Sequence, residues 1–81
     1  MKRDKLLSAI FTRRVVRFDD AIALLTGLGF TYDSGAEGSR VRFDADDGDH
    51  LMLHRPHPGS ELKPYQLTLV RDFLKRQGFK P

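Results

Sequence analysis

The chain has 81 residues and a formal net charge of +3, with 14 Lys and Arg residues, so it can form one small domain and favours a polyanionic partner. It has no cysteine, which excludes disulfides, thiolate metal sites and a cysteine nucleophile. No apolar run is long enough to span a membrane, and the basic start lacks the apolar stretch of a signal peptide. We therefore expect a cytoplasmic protein with no membrane partner.

Two helices are predicted before any strand. Apolar residues at helical spacing predict a short amphipathic helix over residues 4–12, pinned across one edge of the domain. The second predicted helix starts near Phe18 with an aspartate as its cap and acidic residues in its first turn, and it stops at Gly29. We assign residues 1–17 to an N-terminal helical extension and residues 18–81 to the domain proper.

Three strands are predicted in the middle of the chain. A brief strand covers residues 30–33, and alternating apolar and polar residues predict longer strands over 40–45 and 49–54. The Asp-rich stretch between the longer strands resembles the opening of a calcium loop. It lacks the D-x-D-x-D-G phase and the terminal Glu, so we interpret it as a turn.

The turn between the longer strands decides their register. A two-residue turn at Asp47-Gly48 would mix apolar and polar residues on each face of the sheet. A three-residue loop over 46–48, with Gly48 in the left-handed region, keeps the apolar residues on one face. We predict the three-residue loop, which places Arg40 directly opposite His54 on the polar face.

A proline-rich segment leads into the last helix. Prolines on both sides of His57 predict a stiff, non-helical crossing that can hold a polar side chain in place. The last helix is predicted over residues 64–77, with Lys63 as its cap and Gly78 as its stop. Leu69 belongs to the predicted buried arc of this helix.

The order helix, helix, strand, strand, strand, helix predicts an α+β fold in which a three-stranded antiparallel sheet carries the helices on one face. The opposite face of the sheet stays polar. It would carry a basic patch that can meet phosphate: Arg40, Arg42, His50 and His54.

The residues allow one kind of metal-independent chemistry. RNA cleavage needs a base for the 2′-hydroxyl proton, an acid for the leaving oxygen, and cations for the charge on the phosphoryl oxygens. Histidine can serve either proton role near neutral pH, and a guanidinium binds phosphate bidentately. His54 and His57 are the candidates, with loop packing or backbone hydrogen bonding as the alternative. With His50 they do not predict a metal site, because His57 lies on another segment and no carboxylate is placed to orient them.

Several motifs, taken in order, resemble one known family. They are the helix over 19–29, the step Gly38-Ser39 that opens a strand, the stretch Pro56-His57-Pro58 before a Lys-Pro helix start, and the closing Leu74-x-x-Gln77-Gly78-Phe79. Over residues 19–79 the chain is similar to HicA-type toxins of toxin–antitoxin pairs.

The resemblance implies a fold similar to double-stranded-RNA-binding domains, so that residues 18–81 form a HicA-like RNA-binding or ribonuclease domain. It implies the toxin of a type II toxin–antitoxin system that cleaves mRNA without metal or cofactor and is neutralised by a HicB-like antitoxin. The family's catalytic histidine normally follows the glycine–serine pair, and Arg40 stands there in this sequence. We expect His54 to transfer a proton, Arg40 to stabilise charge, and His57 to be the second candidate for proton transfer.

Further RNA contacts are expected from basic residues along the domain: Arg42, His50, Arg55, Lys63 and Arg71. Two other interpretations remain open. In one, the chain is a non-catalytic RNA-binding module in which Arg40 has turned a cleavage site into a phosphate clamp. In the other, it is an antitoxin-interaction domain without nuclease activity.

Overall fold

The computed structural model describes residues 2–34, 40–55 and 61–80. The elements follow the predicted order: α1 (Lys2–Thr12), α2 (Phe18–Gly27), β1 (Thr31–Asp33), β2 (Arg40–Asp44), β3 (His50–His54) and α3 (Pro64–Arg76). This arrangement of three helices and a three-stranded antiparallel sheet confirms the predicted α+β fold. None of the described helices is long and apolar enough to cross a membrane. The step Gly38-Ser39 and the predicted site residue His57 lie outside the described residues.

The sheet has the strand order β1-β2-β3, and its register is the one that the loop length predicts. Arg40 of β2 lies directly opposite His54 of β3. At the other end of the hairpin the N–H of Ala45 donates to the carbonyl of Asp49 over 2.9 Å, which leaves three residues in the loop. The third of them, Gly48, has a φ of 91°, a conformation that a residue with a Cβ rarely adopts. The three-residue loop is therefore confirmed.

The hydrophobic core fills the space between one face of the sheet and the helices. Alternate residues of β2 and β3 point into it, because successive side chains of a strand leave opposite faces. The core side chains from the two strands and from α2 and α3 include Val41, Phe43, Leu51, Leu53, Leu24, Leu25, Val70, Phe73 and Leu74. The other face of the sheet carries exposed side chains: Arg40, Arg42, His50, Met52 and His54.

Two details of the helices differ from the sequence-based expectation. The N-cap of α2 is Arg17, with extended backbone and no capping side chain, and the aspartates lie inside the first turn instead. There their negative charges still interact favourably with the positive end of the helix dipole. Leu69 of α3 is exposed instead of buried, and it lines a groove together with residues of β3. The predicted stops are confirmed, since Gly29 and Gly78 both have positive φ just after a helix.

Helix α1 is attached to the core at several points. Ile10 is buried within the same hydrophobic cluster as the sheet and the other helices. Arg71 of α3 donates from Nε to the carbonyl of Ile10 over 2.5 Å and from a terminal nitrogen to the carbonyl of Arg13 over 2.6 Å. The N–H of Leu62 donates to the carbonyl of Val16 over 2.8 Å. The division into an extension and a domain stays a prediction, but α1 shares the core of that domain.

Candidate active site

The candidate site is built around the pair Arg40 and His54 at one end of the β2–β3 hairpin. The alternation of each strand puts both side chains on the open face, and the antiparallel register puts them opposite each other. Directly opposite residues of antiparallel strands have Cβ atoms about 4.5–5.5 Å apart. Both side chains are exposed, so a phosphate group can approach the two from solvent.

Farther along the open face the charge becomes mixed. The Nε of Arg42 donates to Oδ1 of Asp44 over 2.7 Å in an exposed ion pair. His50 lies opposite Asp44 in the sheet. On the other side of β2, Asp33 of β1 lies opposite Arg42. The predicted basic patch of Arg40, Arg42, His50 and His54 is thus interspersed with carboxylates.

The hairpin loop at the far end is held to α3 by a carboxylate. Arg76 donates to Asp49 from Nε over 2.9 Å and from a terminal nitrogen over 3.2 Å, and Gln77 adds a third hydrogen bond over 3.1 Å. The hydrogen bond from Arg76 is the largest cause that lowers the pKa of Asp49 to about 2. The same contact raises the pKa of Arg76 above its usual value. This contact fixes the loop end of the hairpin, away from the candidate site.

Gln66 connects the candidate site to the start of α3. Its side chain is 2% exposed, and Nε2 donates to the carbonyl oxygen of His54 over 2.6 Å. Its Oε1 accepts from the N–H of Lys63, the N-cap of α3, over 3.1 Å. This role of Gln66 was not predicted, although a glutamine three residues after a helix cap is a known capping signal in a sequence. Gln66 fixes the backbone of His54 relative to the helix, and Lys63 lies exposed beside it.

A groove opens next to the pair, between the edge strand β3 and α3. Its volume is about 300 Å³, and the described residues that line it are Arg40, Met52, Leu53, His54, Tyr65, Gln66 and Leu69. Tyr65 was not among the predicted site residues. Helical periodicity leaves Tyr65 outside the buried arc of α3, which predicts an exposed ring. In the structure Tyr65 is exposed together with Met52 and Leu69, and such a cluster of exposed apolar side chains is a sign of a binding surface.

Two predicted RNA-binding residues lie away from this face. Arg55 follows β3 on the helix side of the sheet, where a terminal nitrogen donates to the hydroxyl of Tyr32 over 3.1 Å. Its guanidinium carbon lies 5.5 Å from the ring centre of Phe18, a cation–π distance. Arg71 is occupied by the carbonyls at the end of α1. Their RNA-binding roles stay predictions, and neither residue lines the groove beside Arg40.

The described residues contain no group of three or more His, Asp and Glu side chains that could hold a metal ion. The pair of Arg40 and His54 itself can supply proton transfer by an imidazole and charge stabilisation by a guanidinium.

Comparison with known proteins identifies the family of the chain. The model of a family described as the HicA toxin of bacterial toxin-antitoxin matches residues 18–78, which run from the start of α2 to two residues past the end of α3. Helix α1 lies outside the matched range. No curated protein and no solved structure gave a significant match. Because the matched range covers about three quarters of the sequence, the chain belongs to the HicA toxin family.

Proposed function

We propose that this protein is the RNA-cleaving toxin of a type II toxin–antitoxin system, an endoribonuclease that acts on mRNA without a metal ion and is neutralised by a HicB-like antitoxin. Membership of the HicA family supports the activity and the partner. The observation that supports placing the active site at Arg40 and His54 is that the two residues lie directly opposite each other on the open face of the sheet.

In the proposed reaction the imidazole of His54 accepts the proton of an RNA 2′-hydroxyl. The 2′-oxygen then attacks the adjacent phosphorus, and the bond from phosphorus to the 5′-oxygen breaks, leaving a 2′,3′-cyclic phosphate and a 5′-hydroxyl. Arg40 binds the phosphoryl oxygens while negative charge develops on them. A guanidinium stays protonated in proteins, so Arg40 does not transfer the proton. The 5′-oxygen takes its proton from water or from His57, the second candidate for proton transfer.

Other exposed basic side chains near the pair are proposed to hold the RNA backbone around the reacting phosphate. Arg42 and His50 lie farther along the same face as the pair, and Lys63 lies at the start of α3. Phosphate contacts of this kind position the strand without reading its sequence. They also make the affinity for RNA fall as the salt concentration rises.

The test uses purified protein and a long single-stranded RNA in the presence of a chelator. We expect His54→Ala to lower the cleavage rate by about 10²- to 10⁴-fold, which is the usual contribution of a proton-transfer group. His50→Ala is the comparison, because this histidine lies on the same strand and the same face but is proposed only to contact the RNA backbone. It should weaken RNA affinity without the large loss of cleavage rate at saturating RNA. A His54→Ala variant that folds normally and cleaves as fast as wild type would exclude His54 as the proton-transfer group.

The alternatives give other outcomes in the same experiment. RNA that is bound but not cleaved by the wild-type protein would indicate a non-catalytic module in which Arg40 clamps phosphate. Neither binding nor cleavage would indicate an antitoxin-interaction domain. An RNA with 2′-deoxy nucleotides at the cleavage position should resist cleavage, since the attacking oxygen is missing.

A further inference from the structure

Apolar side chains are exposed together beside the candidate site. The described residues expose four large hydrophobic side chains, and three of them line the groove between β3 and α3: Met52 at 41%, Tyr65 at 57% and Leu69 at 43%. The fourth, Val15, lines a different pocket, next to α1. Exposed apolar residues that cluster in this way mark a binding surface.

The charge of the groove indicates what kind of ligand it takes. Its basic lining residues are Arg40 and His54, and no carboxylate is among the described residues that line it. An exposed aromatic ring next to groups that bind phosphate is the arrangement by which proteins hold single-stranded nucleic acid, since bases stack on the ring and the backbone meets the cations. The volume of about 300 Å³ lies at the small end of ligand pockets.

The backbone that carries Tyr65 is tied to the backbone of His54. Tyr65 is followed by Gln66, whose buried side chain is bonded to the carbonyl of His54 and to the N–H of Lys63. This pair of hydrogen bonds ties the first turn of α3 to the end of β3. A ligand that stacks on Tyr65 and contacts His54 therefore meets two residues whose backbone positions are set relative to each other by the fold.

We propose that Met52, Tyr65 and Leu69 form a nucleobase subsite, in which the ring of Tyr65 stacks on an unpaired base of the strand whose phosphate lies at Arg40 and His54. The inference rests on the proposed function, because it uses the same phosphate position. The proposed subsite would give the protein a preference for single-stranded RNA over duplex RNA, since a base inside an A-form helix cannot reach the ring of Tyr65.

The experiment measures binding apart from cleavage. A short fluorescein-labelled RNA with 2′-O-methyl groups cannot be cut through its 2′-oxygens, so anisotropy reports affinity alone. We expect Tyr65→Ala to weaken binding roughly 5- to 150-fold, the range found when a stacking aromatic residue is removed. Tyr65→Phe should stay close to wild type because the ring remains. Val15→Ala, an exposed apolar residue outside the groove, is the control and should also stay close to wild type.

A second set of RNAs, each with one abasic position, tests whether the ring contacts a base. At one position the missing base should weaken binding to the wild-type protein but not to Tyr65→Ala, because the two changes remove the same contact. Additive losses at every position would overturn the subsite. Unchanged RNA affinity in Tyr65→Ala, with loss of binding to the antitoxin, would overturn it in favour of a protein-binding groove.

Failure of the inference and failure of the proposed function look different in these assays. Cleavage by the wild type with full RNA affinity in Tyr65→Ala would leave the function standing and reject the subsite. Binding that depends on Tyr65 without any cleavage of unmodified RNA would keep the subsite and reject the nuclease. If the wild-type protein bound neither single-stranded nor duplex RNA, both proposals would be rejected.

Discussion

The amide nitrogen of the Gln66 side chain donates to the carbonyl oxygen of His54 over 2.6 Å, which ties a buried residue of α3 to the backbone of the proposed catalytic histidine. The same side chain accepts from the N–H of Lys63. One amide group therefore satisfies two backbone groups at the junction between sheet and helix. This junction is where the proposed phosphate site and the proposed base subsite meet.

Gln66→Met should damage the site and the fold together. Methionine has a similar length but neither donates nor accepts these hydrogen bonds, so the carbonyl of His54 and the N–H of Lys63 lose their partner. We expect a loss of about 1–3 kcal/mol in the free energy of unfolding, measured by urea denaturation. Under conditions where the variant is fully folded, its cleavage rate should still be lower than that of wild type. A variant with full stability and full activity would show that the junction does not depend on this side chain.

Arg71→Ala should act on stability and leave RNA binding nearly unchanged. The guanidinium of Arg71 binds two carbonyls at the end of α1, so its removal leaves them without that partner and lowers the free energy of unfolding by about 1–3 kcal/mol. The salt dependence of RNA affinity should keep the wild-type slope. Lys63→Ala is the comparison and should reduce that slope by about one, as expected for one lost phosphate contact. A reduced slope in Arg71→Ala would instead support the sequence-based prediction that Arg71 contacts RNA.

Ile10→Ala tests whether α1 is part of the folded core. Ile10 is 1% exposed, and shortening a buried isoleucine to alanine costs about 2–5 kcal/mol because it removes apolar contacts and leaves a cavity. The free energy of unfolding from urea denaturation should fall by this amount. Lys5→Ala, an exposed change on the same helix, should stay within about 0.5 kcal/mol of wild type. A small effect of Ile10→Ala would indicate that α1 is a detachable extension of the domain.

The ion pair of Asp49 and Arg76 predicts a specific dependence of stability on pH. The pKa of Asp49 is about 2 in the folded protein, below its ordinary value of 3.8. A lowered pKa means that the unfolded state takes up the proton first, so the contribution is present above pH 4 and is lost as the pH falls toward 2. The difference in unfolding free energy between wild type and Asp49→Asn should therefore shrink over this interval in urea denaturation.

Arg76→Gln provides the matched control for that experiment. It leaves the carboxylate of Asp49 in place but removes the guanidinium that is the main cause of the low pKa. The variant should lose less stability than wild type between pH 4 and pH 2. The same pH profile in wild type and in both variants would show that the contact does not lower the pKa of Asp49 in solution.

The sequence was sufficient for the local geometry of the hairpin. Apolar residues alternate with polar ones in both strands, and a three-residue loop ending in glycine keeps all of them on one face, so Arg40 and His54 had to lie opposite each other. The start of α3 after Lys63 could also be predicted, because proline is favoured in the first turn of a helix. These features depend on neighbours that are close in the sequence.

Only the tertiary structure decided the partners of the long polar side chains. Arg71 contacts carbonyls 58 and 61 positions away, and Arg55 reaches a hydroxyl 23 positions away, so no local pattern indicates these contacts. Helical periodicity predicted that Leu69 belongs to the buried arc of α3, but in the folded protein it is exposed and lines the groove. Sequence periodicity by itself determined which face of each strand and helix is apolar. The packing of those faces decided which side chains border the groove. An apolar face becomes part of the core where a neighbouring element covers it and stays on the surface where none does.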